Sequence, residues 1–166
     1  MRMTIDQINR LSAEDFTASF KPLLEHAEWV VDRLAAARPF ADLKDLNQHL
    51  SEIIQVADDR QKQAALINHP KLGARVPVEG FSAAEQSQAG LHALTEEEFA
   101  LFERDNAHYE RTMGFPFVVA VTGLGKQEIM WQLGVRLTND PAHEFVIAIN
   151  ELIKIACIRV SQLVSG

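Results

Sequence analysis

The stretch INHPKLGAR at residues 67–75 places a histidine directly before a proline, at the start of a loop rich in proline and glycine. An unperturbed imidazole has a pKa of about 6.5 and therefore suits proton transfer at neutral pH. Because proline fixes its own backbone φ angle, Pro70 would hold the backbone that presents His69. The pattern indicates either an ordinary turn or a fixed proton-transfer group, and both interpretations stay open for this stretch alone.

A second group of polar side chains lies in FSAAEQSQAGL at 81–91. Ser82 and Glu85 have the spacing of a capping box, in which each side chain binds a backbone N–H of the first helical turn. Alternatively, Ser82, Glu85 and Gln86 crowd a helix N-terminus, where unpaired N–H groups and the helix dipole favour an anionic or carbonyl-rich ligand. Glu85 beside a histidine would also give a paired acid and base.

Arg159 lies on the apolar stripe of the last predicted helix, at helical spacing from Leu152 and Ala156. In one interpretation its long side chain extends along apolar surface to bring the charge to water. In the other, the guanidinium points inward and needs an anion, because arginine is rarely buried unpaired. That anion could be a protein carboxylate such as Glu85, a bound carboxylate or a ureido carbonyl. Position alone favours neither interpretation.

Other candidate sites are weaker. The segment VTGLGKQE at 121–128 lacks the spacing of a phosphate-binding loop and is predicted to be a turn before a helix. No two of the six histidines form an H-x-x-x-H pair, and one cysteine cannot build a thiolate site, so no metal site is predicted. Cys157 stands in an apolar run and is predicted to be a small core residue.

Composition restricts the class of protein. A chain of 166 residues with 47% hydrophobic and 23% charged residues predicts one folded domain over 1–166. The net charge of −7 disfavours nucleic acid and anionic membranes as partners. The polar start MRMTIDQINR does not resemble a secretory signal, and no apolar run is long enough to span a bilayer. With a single cysteine excluding an intrachain disulfide, these features predict a cytoplasmic protein.

Hydrophobic periodicity predicts an all-α fold, a bundle of about seven to nine helices. Ser12, Asp42 and Thr95 are predicted to cap helices, and Pro141 suits the first turn of the last one. Residues 70–80 contain two prolines and two glycines and are predicted to form a loop. FPFVVAV at 115–121 is the only strand-like run, and without a partner it is predicted to be a buried extended connector.

Taken together, these segments resemble one family, the 2-oxo-4-hydroxy-4-carboxy-5-ureidoimidazoline (OHCU) decarboxylases of urate degradation. The matching motifs occur in order across nearly the whole chain: EHAEWV at 25–30, RPF at 38–40, HP-x-LG at 69–73, S-x-x-EQ-x-x-AGL at 82–91, N-x-x-Y at 106–109 followed by GFPFV, and RLTNDP at 136–141. Two positions depart from the pattern. Lys71 stands where the family often has an acidic residue, and Met113 precedes GFPF where an aromatic residue is common.

The resemblance implies a cofactor-independent, usually homodimeric enzyme that converts a small ureidoimidazoline to (S)-allantoin. It assigns proton transfer to His69, with Glu85 as its acidic partner, and substrate clamping to Arg159. The remaining residues implied to line the substrate are Pro70, Ser82 and Gln86, together with the backbone of Phe117, Val118, Val119, Ala120 and Val121. This assignment predicts that the imidazole, the carboxylate and the guanidinium converge on one small cavity.

Two alternatives remain at this point. A hydrolase could act on a related ureido ring, with His69 as the base that activates water. A non-enzymatic interaction module could instead use the last helix, whose apolar residues extend nearly all round through Val146, Ile147, Ile153 and Ile158. Such a module would have no reason to bring His69, Glu85 and Arg159 together.

Overall fold

A computed structural model describes residues 1–75 and 78–166 of the chain. The described residues form nine α-helices and one short 3-10 helix, with no named β-strand among them, so the predicted all-α class is confirmed. The helices are α1 (Ile5–Arg10), α2 (Ala13–Phe20), the 3-10 helix (Lys21–Leu23), α3 (Glu28–Ala36), α4 (Leu43–Gln55), α5 (Asp59–Ile67), α6 (Gly80–Gln88), α7 (Glu96–Met113), α8 (Lys126–Arg136) and α9 (Pro141–Leu163).

The chain divides into two compact units. The first unit comprises Met1–Ala65 and Ile153–Gly166, and the second comprises Leu66–Leu152. In the first unit, α3 packs against both α2 and α4. Near its ends, the N–H of Met3 donates to the carbonyl of Leu163 at 2.9 Å, and the N–H of Ser165 donates back to Met3 at 2.9 Å. The expectation of one domain over 1–166 stays a prediction.

Local capping signals explain where several helices begin. The Ser12 hydroxyl accepts the N–H of Asp15 at 3.0 Å, and the Thr95 hydroxyl accepts the N–H of Glu98 at 3.1 Å. The Asp42 carboxylate likewise accepts a backbone N–H at the start of α4. These three predicted caps are confirmed, and Pro141 opens α9 as expected. The short helix α1 was not predicted, because six residues give too few turns to show helical periodicity.

The predicted capping box at Ser82 and Glu85 is wrong. Helix α6 already begins at Gly80, with Glu79 as its N-cap in extended conformation. Ser82 is therefore the third helical residue and is buried, while Glu85 lies in the second turn. A Ser-x-x-Glu spacing inside a helix looks the same in sequence as one at its start. The backbone at Glu79 decides which of the two applies.

The extended segment at 115–121 lies between α7 and α8 and is buried over 115–119, as predicted. The rings of Phe115 and Phe117 meet Tyr109 of α7 edge to face, with centroids 6.0 and 5.5 Å apart. Helix α7 supports this segment through aromatic packing, which holds its backbone inside the second unit. None of the helices in the described part of the chain has the length and apolar character needed to cross a membrane.

Candidate active site

His69 lies in the turn that closes α5. Its backbone N–H donates to the carbonyl of Leu66 at 3.2 Å, so the main chain stays attached to the helix end. The residue is buried, with 8% of its surface exposed, and Pro70 beside it is half-buried. A mostly buried imidazole in a turn, followed by a proline, has a restricted range of positions. The geometry therefore fits the interpretation of a fixed group.

The loop after His69 is bonded to α6. The side-chain oxygen of Gln86 accepts the N–H of Gly73 at 3.1 Å, and its side-chain nitrogen donates to the carbonyl of Lys71 at 3.2 Å. These two bonds bring the HP-x-LG and S-x-x-EQ segments together within the second unit. An amide has two N–H donors and a carbonyl with two lone pairs, so Gln86 keeps one donor and one acceptor position beyond these bonds.

Helix α6 presents its polar residues on one face. Positions three and four apart lie on the same side of a helix, which groups Ser82, Glu85 and Gln86. Ser82 and Gln86 are buried, at 4% and 9% exposure, and Glu85 is half-buried. Because Gln86 on this face reaches the loop that follows His69, the helix that carries Glu85 and the segment that carries His69 are neighbours. Their roles toward a substrate stay predictions.

A buried polar cluster, consisting of Tyr109, Arg136, Asn139 and Glu144, fixes the extended segment. The Arg136 guanidinium donates to the carbonyl of Val118 and forms an ion pair with Glu144, whose side chain is fully buried. The Glu144 carboxylate also accepts from the Tyr109 hydroxyl at 2.5 Å and from the Asn139 amide at 3.0 Å. Each partner of the charged pair is thereby hydrogen-bonded, which a buried ion pair requires.

Burial, followed by the hydrogen bond to Glu144, raises the pKa of Tyr109 far above its ordinary value. The phenol therefore stays protonated and remains a donor to the carboxylate. Three members of this cluster lie within the N-x-x-Y and RLTNDP motifs, namely Tyr109, Arg136 and Asn139, and Glu144 follows three residues after the second motif. Polar motifs on both sides of the apolar run 115–121 are the signal that could have indicated the cluster.

The extended segment is held at two points along one edge. Besides the carbonyl of Val118, the N–H of Ala120 donates to the Glu151 carboxylate at 3.3 Å. In an extended chain, the N–H and C=O groups of successive residues point to opposite sides, so Val118 and Ala120 direct their groups to one edge. Arg136 and Glu151 occupy that edge, and the role of the Val119 backbone toward a substrate stays a prediction.

Arg159 belongs to the first unit, and its side chain is fully buried. It donates to the carbonyl of Leu23 at 2.9 Å and to the carboxylate of Glu25 at 3.1 Å. The alternative in which the charge reaches water is therefore wrong, and the inward guanidinium with an anionic partner is confirmed. Glu25 supplies that carboxylate, a partner that no spacing near Arg159 in the sequence indicates. The predicted convergence of Arg159 with His69 and Glu85 stays a prediction.

The structure also describes the positions of the weaker candidates. Residues 122–123 form a turn before α8, as predicted for the glycine-rich segment. Within residues 1–75 and 78–166, no group of three or more His, Cys, Asp or Glu side chains is arranged to hold a metal ion. Cys157 was predicted to be a core residue but is only partly buried, and this burial raises the pKa of its thiol. Lys71, which departs from the family pattern, forms an ion pair with Glu110 at 2.8 Å.

Comparison with known proteins gives a consistent result. Residues 9–161 match the family model described as OHCU decarboxylase. The chain is 36% identical to the uric acid degradation bifunctional protein PucL of Bacillus subtilis, covering 98% of this chain and 33% of that protein. It is 33% identical to the 2-oxo-4-hydroxy-4-carboxy-5-ureidoimidazoline decarboxylase of Haloferax volcanii, covering 99% of this chain and 98% of that protein. The chain spans about a third of the length of the two bifunctional Bacillus relatives it matches.

Solved structures share the fold. A crystal structure of (S)-allantoin synthase matches with a TM-score of 0.82 and 23% identity, covering 98% of this chain and 54% of that one. A crystal structure of an OHCU decarboxylase in the presence of (S)-allantoin matches with a TM-score of 0.75 and 20% identity, covering 92% and 98% of the two chains. At these identities the likeness establishes the arrangement of helices.

Proposed function

We propose, from the premise that this chain belongs to the OHCU decarboxylase family, that it converts 2-oxo-4-hydroxy-4-carboxy-5-ureidoimidazoline to (S)-allantoin in urate degradation. One structural observation supports this activity most directly. Gln86 bonds the loop that follows His69 to the helix that bears Glu85. This places the two proposed proton-transfer residues on neighbouring segments, although 15 positions separate Gln86 from Lys71 in sequence.

The chemistry of the substrate explains why no cofactor is required. The bond from the ring to the carboxyl group breaks and releases CO2. The electron pair left behind forms a double bond to the neighbouring imine carbon, and the imine pair moves to the ring nitrogen, which takes up a proton. The hydroxyl on the first carbon then loses its proton to become a carbonyl, and the neighbouring carbon gains one. One proton is consumed overall, and electrons stay within the substrate and its products.

The protein must then hold the ring and manage these protons. The family resemblance assigns the substrate carboxylate to Arg159, which would hold it beside Glu25, and assigns the ring or the ureido group to the backbone around Val119. Donors fixed in advance toward developing charge are often the largest contribution to catalysis. His69 and Glu85 would share the proton transfers, as a coupled acid and base. Delivery of a proton from one face only would set the handedness of the product.

Substitution of the proposed proton-transfer residues tests this mechanism. We expect His69→Ala and Glu85→Gln to keep the fold and to lower the rate about 10²- to 10⁴-fold, because proton transfer by a positioned group contributes that much. Glu85→Gln keeps the size of the side chain and removes its acid–base function. The decay of freshly generated substrate is followed by ultraviolet absorbance, and the handedness of the allantoin by circular dichroism. His92→Ala, at an exposed turn position, is the control.

Wild-type rates for both variants would remove His69 and Glu85 from the mechanism. Mass analysis of the product separates the hydrolase alternative, since water addition keeps the carboxyl carbon and decarboxylation loses it.

We further propose that the protein is a cytoplasmic homodimer. The family resemblance supports the dimer, and a single cysteine is compatible with a reducing compartment.

A further inference from the structure

We infer that Asn106 is a positioning residue for His69, acting through the loop that follows it; this inference rests on the proposed function. Asn106 lies on α7 and is half-buried. Its side-chain nitrogen donates to the carbonyl of Leu72 at 3.0 Å. Leu72 is three residues beyond His69, and neither the family resemblance nor the reaction chemistry assigns Asn106 a part in catalysis.

His69 is held on its two sides by different parts of the backbone. On one side, its own N–H is bonded to the last turn of α5 through Leu66. On the other side, Pro70 restricts one of the two backbone torsions that connect His69 to the loop. The position of the imidazole therefore depends on where the next residues of the loop are fixed.

Three consecutive residues of that loop are fixed by side-chain amides. Gln86 of α6 binds the carbonyl of Lys71 and the N–H of Gly73, and Asn106 of α7 binds the carbonyl of Leu72 between them. The carbonyl of Leu72 and the N–H of Gly73 belong to one peptide group, so Asn106 and Gln86 hold its two ends from different helices. Without Asn106, only the N–H end of that group keeps its side-chain hydrogen bond, and the carbonyl end is released.

Ion pairs also join the loop to α7, but they are more exposed. Lys71 pairs with Glu110, one turn beyond Asn106, with half of the lysine side chain in solvent. Arg75 pairs with Glu96, and its guanidinium lies over the ring of Phe99 at 3.7 Å from the centroid. Ion pairs exposed to solvent contribute little energy and tolerate several geometries. The hydrogen bonds from the Gln86 and Asn106 side chains are therefore the contacts that fix the loop backbone.

The experiment is a double-mutant cycle on steady-state kinetics. It uses the full chain with Asn106→Ala, His69→Ala and the combined variant. We expect Asn106→Ala alone to lower kcat about 10- to 100-fold, because a displacement of about 1 Å in a catalytic group costs up to about 10²-fold. The KM should stay near the wild-type value. In the His69→Ala background, Asn106→Ala should cause no further loss, since no imidazole remains to be positioned.

Controls separate positioning from a general loss of stability. Glu110→Gln removes the neighbouring ion pair and leaves the loop backbone bonded, so its kcat should match the wild type. Asn106→Leu keeps the side-chain volume without the donor, and its kcat should fall as in Asn106→Ala even where the alanine variant folds poorly. Far-ultraviolet circular dichroism and thermal unfolding establish that each variant is folded.

Two outcomes would overturn the inference. One is an equal loss of kcat from Asn106→Ala with and without His69, and the other is an unchanged kcat with a raised KM. A His69→Ala variant as fast as the wild type would instead contradict the proposed mechanism itself. Failure of the inference and failure of the proposed function thus give different results.

Discussion

Glu144→Gln breaks a buried ion pair, and the structure predicts a large loss of stability for it. The Glu144 side chain has no solvent exposure, and that of Arg136 has 8%. The variant keeps the shape of the side chain and removes its charge, so the buried guanidinium of Arg136 loses its carboxylate. Breaking a buried pair on one side costs about 3–5 kcal/mol, because it leaves an uncompensated buried charge. For a chain of this length, that corresponds to a melting temperature about 6–20 °C lower.

Urea unfolding followed by circular dichroism measures the effect, with two comparison variants. Glu110→Gln breaks a half-exposed ion pair with Lys71, and we expect it to lower the free energy of unfolding by less than about 1 kcal/mol. Arg136→Met combined with Glu144→Gln removes both charges. The double variant should lose less than the sum of the two single variants, because neither charge is then buried alone.

Two results would contradict this role of the Arg136–Glu144 pair. One is a Glu144→Gln variant no less stable than Glu110→Gln, which would show that breaking the buried Arg136–Glu144 pair does not cost the expected ~3–5 kcal/mol of unfolding free energy. Strict additivity in the double variant would show that the two charges act independently. Either result would also weaken the argument that this cluster holds the backbone of Val118 in place.

Two further predictions concern a glycine and the cysteine. Gly73 and Gly123 both have positive φ angles, 68° and 82°, so alanine at either position should cost about 1–2 kcal/mol of stability. A Cβ at Gly73 would lie 3.2 Å from the Leu94 side chain, whereas a Cβ at Gly123 would have no neighbour within 4 Å. Gly73→Ala should therefore lower the melting temperature more than Gly123→Ala does. Equal losses would show that the crowding at Gly73 has no effect. Burial raises the pKa of the Cys157 thiol, so the folded state binds the thiol proton more tightly than the unfolded state does. The stabilisation that comes from this tighter proton binding should therefore be lost as the pH rises above about 8.5, the ordinary pKa of a cysteine. Iodoacetamide at neutral pH should react with Cys157 more slowly than with a free thiol, and an equal rate would contradict the shift.

Local signals predicted much of the fold. Ser12, Asp42 and Thr95 each cap a helix, because the interaction involves residues only three positions apart. The same kind of spacing misled at Ser82. There the helix had already begun at Gly80, and a capping pattern is indistinguishable from two polar residues on one helix face. Local spacing therefore predicts helices well and their first residues less well.

The partners of buried charges could not be predicted in the same way. Periodicity correctly placed Arg159 on an inward face, but its carboxylate, Glu25, is 134 positions away in sequence. Arg136, the last residue of α8, donates to the carbonyl of Val118 at a separation of 18 positions, so this contact spans the whole helix. Such pairs depend on how helices pack, and one sequence contains no periodic signal for that packing. The order of the motifs along the chain was enough to predict the family, whereas the partners of Arg136 and Arg159 could be found only in the structure.

The chain has a single tyrosine, Tyr109, and its phenol is the group bonded to Glu144. Phenol and phenolate differ in ultraviolet absorbance, and the two tryptophans do not ionise. Tyr109 is therefore an intrinsic absorbance probe of the interior of the second unit. In alkali, the appearance of phenolate absorbance reports the opening of that one interior location, without any dye or engineered chromophore.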